Sequence, residues 1–337
     1  MERGPEFRVV GNAPEEEKEK AIERVEKNLF QHLESLPETS LEILKEHEVP
    51  KTRGERLLIN FANAETNRLL LYYGLQPYAI PEENYHLLPH DTYHKEFNED
   101  QHSTGAASFF RQGIAIDAGY SRKNPIKFGE ISMHETLHLK SHFSLEAEKK
   151  GEETTTSNYR EGVSVRTSQK TTREGSPHTH FVGLHEAIVS EQTRKSLKRM
   201  MELPILKKEK EHMRSEKTME TIRRISEKSK IPVDEFYWLN EEESALGLGY
   251  YEQRQVLNYV CEEIQQELSE EYKTKDAVFS VFLGAQLTGR LLPVARLVEQ
   301  VFGEGSFRIL GNMTLEKENT ALILDTLKKM RSKNKNG

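Results

Sequence analysis

His134, Glu135 and His138 stand in H-E-x-x-H spacing within the run Ile131-Ser132-Met133-His134-Glu135-Thr136-Leu137-His138. Residues four apart on an α-helix lie one above the other, so a helix here would project two imidazoles side by side. Both ring nitrogens can then reach a single Zn²⁺ at ~2.0–2.1 Å. Glu135, about 100° round the helix from His134, leans toward a water on that ion. The residue types suit this chemistry. Neutral imidazole binds borderline-soft zinc, and a carboxylate beside it takes the proton of a water whose pKa the metal lowers to ~7. His142 continues the four-residue series, but ligands at i, i+4 and i+8 span ~12 Å and cannot meet on one ion. It reads as a satisfied or surface histidine.

The motif needs a helix, and Asn124-Pro125 supplies a start signal, with Asn as N-cap and Pro at the first helical position. A strand over Gly113–Ala118 should precede it, with Ile114 and Ile116 on one face and Ala115 and Asp117 on the other. Upstream, the pattern predicts a short strand over Phe7–Val10 and a helix from Pro14 to about Ser35. A second helix should run from Thr52 to Gly74, opened by Thr52 and Glu55 in capping-box spacing and burying Leu58, Phe61, Ala62, Leu69 and Tyr73. Tyr78–Ala118 is punctuated by Pro81 and Pro89 and reads as strand and loop, including Tyr85–Leu88. The Thr/Ser/Gly/Glu-rich stretch 151–177 suggests a hairpin with a mobile tip, its strands at Gly162–Arg166 and His178–Val182. Helix resumes from about His185 to Glu202 and carries two acids, Glu186 and Glu191.

Leu206–Lys230 is rich in Lys and Arg and reads as a solvated helix or flexible excursion. Four helices follow, over Tyr250–Tyr272, Ala277–Gly289, Pro293–Phe302 and Leu315–Met330. Val256, Val260 and Ile264 share a stripe with Cys261 at its edge, so Cys261 reads as a small buried hydrophobe. No internal repeat is present. The division expected is 1–76, an N-terminal helical region; 77–203, the core carrying the motif; 204–327, the charged excursion and a C-terminal helical block; and 328–337, a disordered basic tail.

With these elements placed, the chain resembles the zincin metallopeptidases, and within them the gluzincin branch. There H-E-x-x-H gives two ligands and a Glu on a later helix the third. Gly183-Leu184-His185-Glu186-Ala187-Ile188 is similar to the Asn-Glu-Ala-Ile run of thermolysin-like enzymes. The resemblance implies Glu186 as third ligand beside His134 and His138, one Zn²⁺ per chain with an open position, and Glu135 as general base. It also implies a peptide or protein substrate and a zincin-like α+β core, in which a small mixed sheet lies beside the active-site helix. N-terminal helices and a C-terminal helical block would flank that core. Two positions depart from the family pattern. His185 stands where Asn is usual, and the acid common four residues after the ligand is replaced by Ser190, with Glu191 one place on. Glu191 could orient His134 or His138, or could itself be the ligand. The oxyanion donor is open among Tyr250, Tyr251, His180 and Arg160; His178 shares a strand face with His180 and reads as a hairpin surface residue.

The composition bounds the alternatives. The 337 residues contain 48 Lys+Arg against 55 Asp+Glu, a formal net charge of −7, so no global basic field favours nucleic acid. One cysteine excludes an intramolecular disulfide and a Cys-rich metal site, and fits a reducing, cytoplasmic setting. No apolar run of ~18 residues marks a membrane span. The hydrophobic fraction of 35% and mean hydropathy of −0.73 describe a folded chain with charged surface helices. The function expected is zinc-dependent peptide hydrolysis. The alternative is a decayed zincin, a non-catalytic zinc-containing binding or scaffold protein.

Overall fold

The computed structural model describes residues 7–97, 104–167, 178–239 and 245–336. It is an α+β protein with small mixed sheets. The first helix, Glu15–Phe30, opens on Glu15, Glu16 and Glu17, which complement its positive end, and buries Ala21, Val25 and Leu29. It stops earlier than the periodicity predicts. The chain breaks at Gln31 (φ −133°, ψ 47°) and a short helix, His32–Ser35, follows. The break turns His32 inward, where Nδ1 lies 2.9 Å from the Arg111 carbonyl and Nε2 2.7 Å from His86 Nε2. A surface helix, Glu38–His47, buries no residue and carries no strong apolar signal.

The Arg53–Tyr72 helix begins as its capping box dictates. Thr52 Oγ1 accepts from the Glu55 amide, and the Glu55 carboxylate accepts from the Thr52 amide at 2.6 Å. Leu58, Ala62 and Leu69 are buried, while Phe61 and Tyr73 are half-buried. Beside this helix lies a three-stranded sheet with Gly113–Asp117 at its centre. Tyr85–Leu88 pairs parallel on one side, with Tyr85 opposite Ile114, and Gly105–Ser108 pairs antiparallel on the other. Every residue of the central strand is buried, so both of its faces are covered. Between strands the chain forms a helix, His90–Phe97, where the sequence suggests loop.

The second sheet has five strands in the order Arg8–Val10, Phe143–Lys150, Glu153–Glu161, Ser164–Arg166, Thr179–His180. Its first pair is parallel and the rest antiparallel. The long hairpin Phe143–Lys150/Glu153–Glu161 is hard to read from sequence because only one face is apolar over a few residues. Phe143, Leu145 and Ala147 are buried, while Thr155, Thr156 and Ser157 are exposed. The expected strands near Gly162–Arg166 and His178–Val182 are shorter, and the expected mobile tip lies outside the described residues. A two-stranded sheet, Phe236–Leu239 with Ala245–Gly247, caps the charged region.

Residues of the charged segment form two helices, Lys207–Arg214 and Glu216–Ser229, rather than a flexible excursion. Tyr251–Glu267, Lys275–Thr288, Leu292–Phe302, Ser306–Gly311 and Lys317–Asn336 make the C-terminal block. Val256, Val260, Cys261 and Ile264 are all buried as the stripe predicts. The last helix corrects the reading of 328–337 as a disordered tail, because it continues through Asn336. Arg331 anchors it, donating to Glu263, Glu267 and the Val301 carbonyl. One apolar core draws on residues from Ala21 to Leu327. Among the described residues no helix is long and apolar enough to cross a membrane.

Candidate metal centre

The motif lies on the Pro125–Leu139 helix, which starts where the sequence says it should: Asn124 Oδ1 accepts from the Ile126 amide at 2.9 Å and the Lys127 amide at 3.2 Å. The helix is buried nearly all round, so His134, Glu135 and His138 are held in the core, 8%, 8% and 6% exposed. It ends at Leu139, so His142 lies beyond it and does not continue its face. His142 instead donates its amide to the Gln286 carbonyl and takes the Gly162 amide on its own carbonyl.

The Val182–Met200 helix packs beside the motif helix and brings Glu186 to the two imidazoles. His134 Nε2 and His138 Nε2 are 3.0 Å apart. Glu186 Oε2 lies 3.3 Å from the first and 3.4 Å from the second. Four ligands at 2.0–2.1 Å from a tetrahedral ion sit about 3.4 Å from one another, so these three atoms have the separations of a metal-binding face. Glu186 Oε2 is also buried without a hydrogen-bond partner. A buried orphan acceptor is costly unless something electropositive meets it, and a divalent ion between the three atoms does so. The residues present therefore fit an ion, and two imidazoles with one carboxylate are a donor set zinc accepts.

Burial disfavours the Glu186 carboxylate, yet the His138 and His134 rings outweigh it and hold its pKa well below the usual carboxylate range. The same pairing acts on His138. Burial opposes its imidazolium, but the charge of Glu186 beside it pushes the pKa up to about 9. Glu135 goes the other way. Desolvation dominates the nearby imidazoles and raises its pKa, so this carboxyl holds a proton more readily than an ordinary Glu. No protein-family model matches this chain, and neither a curated protein nor a solved structure matches it. The arrangement of the site therefore stands on its own geometry.

Of the residues left open by the sequence, Tyr250 is the one brought to the site. Its ring stacks on His134 with centroids 5.8 Å apart and planes 12° apart, and the Glu186 charge beside its hydroxyl raises the Tyr250 pKa well above the usual phenol value. Tyr250 adopts φ +57°, a left-handed conformation that is uncommon for a bulky residue and marks a positional constraint. Two donors fix it from below. Ser190 Oγ gives a 2.7 Å hydrogen bond to the Gly249 carbonyl, and Arg254 Nε gives one of 3.2 Å. Tyr251 faces Arg254 instead, and Arg160 Nε donates to the Gly162 carbonyl. His180 packs edge-on against His178 at the end of the five-stranded sheet.

Glu191 is neither ligand nor ring-orienting group. It forms a bidentate pair with Arg194 and lies 3.8 Å from Arg254, which also pairs with Glu235. The task of orienting His138 falls to His185, whose Nε2 is 2.8 Å from His138 Nδ1. Gln286, on the Lys275–Thr288 helix, fixes His185 in turn. The Val163 amide can only donate, so it meets Gln286 Oε1. Ser141 Oγ donates to the Leu137 carbonyl and is left to accept from Gln286 Nε2. Gln286 Nε2 also lies 3.0 Å from His185 Nδ1. Desolvation, followed by the His138 charge, pushes the His185 pKa down to about 3, so the ring stays neutral. His185 and Gln286 were invisible as a pair in the sequence because 101 residues separate them.

A second group of metal-ligand type is present: His90, His94 and Asp117. The H-x-x-x-H spacing at 90–94 matches that of the motif helix. The signal is masked because the prolines around it read as loop.

Proposed function

We propose that the chain is a zinc-dependent metallopeptidase with a zincin-like core, hydrolysing peptide bonds. The observation that carries the reading is the triangle of His134 Nε2, His138 Nε2 and Glu186 Oε2 with edges of 3.0–3.4 Å, formed with Glu135 on the adjacent position of the same helix. The mixed sheet beside that helix and the third ligand on the next long helix support the gluzincin likeness.

His134, His138 and Glu186 would hold the ion, which when bound polarises a carbonyl and acidifies a water. Glu135 would serve as the general base and then as proton donor to the leaving amine; its burial, which raises its pKa, suits both halves of the task. His185, locked by Gln286, keeps the His138 ring in one orientation. Tyr250 presents a hydroxyl beside the ligands, where the carbonyl oxygen gains negative charge, and can donate to it. Gly105–Ser108 is an edge strand packed against the motif helix at Ile131 and Glu135, a surface along which an extended peptide could lie.

The test is Glu135→Gln measured alongside wild type for bound zinc and for cleavage of a broad peptide library. The expected result is equal zinc content and a loss of turnover of roughly 10²–10⁴-fold, the range of a general base. Undiminished turnover in the variant, or no zinc uptake by wild type, overturns the proposal. The deep burial of the ligands favours a second reading, a structural zinc in a non-catalytic binding or scaffold protein. Zinc bound without cleavage of any peptide, with a large drop in melting temperature on chelation, selects that reading.

A further inference from the structure

We infer that His90, His94 and Asp117 form a second, independent site for a divalent first-row metal ion. Their ligand atoms lie within 4.8 Å of one another. His90 Nδ1 is 2.7 Å and His94 Nε2 3.7 Å from the same oxygen, Asp117 Oδ2. These separations bracket the ~3.4 Å edge of a tetrahedral site with 2.0–2.1 Å bonds.

The elements explain the convergence. The His90–Phe97 helix places its two histidines one turn apart on one face, their ring centroids 4.5 Å apart. Asp117 ends the central strand of the three-stranded sheet, and its backbone is fixed at both ends. Its amide donates to the Thr104 carbonyl and its carbonyl accepts from Ser121 Oγ. The space between helix and strand is kept open at Gly119, where a Cβ would come within 3.0 Å of His90 Cβ and 3.3 Å of Asp117 Oδ1.

A further observation points to an ion. His94 Nε2 is buried without a hydrogen-bond partner, an arrangement that costs free energy unless a ligand meets it. This nitrogen faces the same Asp117 oxygen that His90 approaches, at the buried end of the strand. An ion between the two imidazoles and Asp117 Oδ2 gives that nitrogen its partner. The side chain of His90 is 55% exposed, so the ion would keep a solvent-facing position. Imidazole and carboxylate donors suit zinc, cobalt(II), nickel(II) or iron(II) rather than magnesium or calcium. Bound there, the ion would pin the His90–Phe97 helix to the end of the strand.

The test is zinc stoichiometry by elemental analysis on the full chain, stripped with chelator and reloaded by equilibrium dialysis, in four proteins. Wild type is expected to bind two zinc ions, His94→Ala one, Glu186→Ala one, and the double variant none. Cobalt(II) loading should give visible absorption bands in Glu186→Ala that His94→Ala, loaded with one ion at the motif helix, does not reproduce. His90→Asn, at the exposed position, weakens the second ion by at least tenfold without touching the core, and it replaces His94→Ala if that variant does not fold. One zinc in wild type, lost in Glu186→Ala and kept in His94→Ala, overturns this inference while leaving the motif-helix centre intact. One zinc lost in His94→Ala and kept in Glu186→Ala upholds it and overturns the other centre.

Discussion

Acidification should loosen zinc at the motif helix in proportion to the proton it must displace from His138. Burial works against a charged His138, but the Glu186 carboxylate pushes its pKa up to about 9 in the metal-free protein. A ligand must be neutral to bind, so the apparent affinity falls by 1 + 10^(9 − pH). Between pH 8 and pH 6 that factor grows on the order of 100-fold, or about 3 kcal/mol at ~1.4 kcal/mol per pH unit. The sign reverses in metal-free protein. A histidine with a raised pKa contributes stability that is complete below its unfolded value of 6.5 and is lost as pH rises through about 9. Lys140, which burial pushes down to about 7, titrates in the same window, but it does so in both forms and cancels between them. The assay is competition against a chromophoric zinc chelator of known pH dependence, at pH 6, 7 and 8, on the full chain. A change of less than threefold across that range refutes the reasoning.

Gln286→Leu keeps the volume but unpins His185, so zinc affinity should fall about 10–100-fold by the same competition assay; unchanged affinity would show that the His185 contact holds His138 unaided. Gly105→Ala puts a Cβ 2.4 Å from Ile131 Cγ2 and 3.0 Å from Glu135 Oε1, so urea melts should show a loss of about 1–3 kcal/mol. Peptide cleavage in that variant should fall while zinc content holds. His32 and His142 have pKa values pushed down to about 4, by burial first and then by His86 for the one and by Arg160 and Arg8 for the other. Groups lowered in this way give stability that is full above pH 6.5 and lost as pH falls toward 4, about 2 kcal/mol each by pH 5. His32→Gln should flatten the decline between pH 7 and pH 5 by that amount, and an unaltered slope would contradict it.

The site was legible where its signal is local. Asn124-Pro125 and the capping box at Thr52 depend on contacts two or three residues apart, and both helices start where those residues put them. The H-E-x-x-H face follows from helical spacing alone. Glu186 needed a likeness to a family pattern, because nothing in the 48-residue separation (186 − 138) fixes how the second helix meets the first. Tyr250 could not be separated from Tyr251, since its left-handed φ is set by Ser190 and Arg254 from elsewhere in the chain. The His90–Phe97 helix was missed because it is short and flanked by proline. The last helix was expected to end at Met330; its continuation to Asn336 was missed because Lys and Asn dominate that stretch, while Arg331 carries its anchoring contacts.

The clamp on His138 also has a temporal side. Gln286 follows His138 by 148 residues (286 − 138), and at about 5–20 residues per second a ribosome takes roughly 7–30 s to add them. Through that interval the nascent chain already holds both imidazoles and, from residue 186, the carboxylate, but not the amide that locks His185. An ion captured then would sit on a ring still free to turn. On the proposed zinc reading, the growing chain would pass through a stage at which the ion exchanges readily, and the arrival of the Lys275–Thr288 helix would end it.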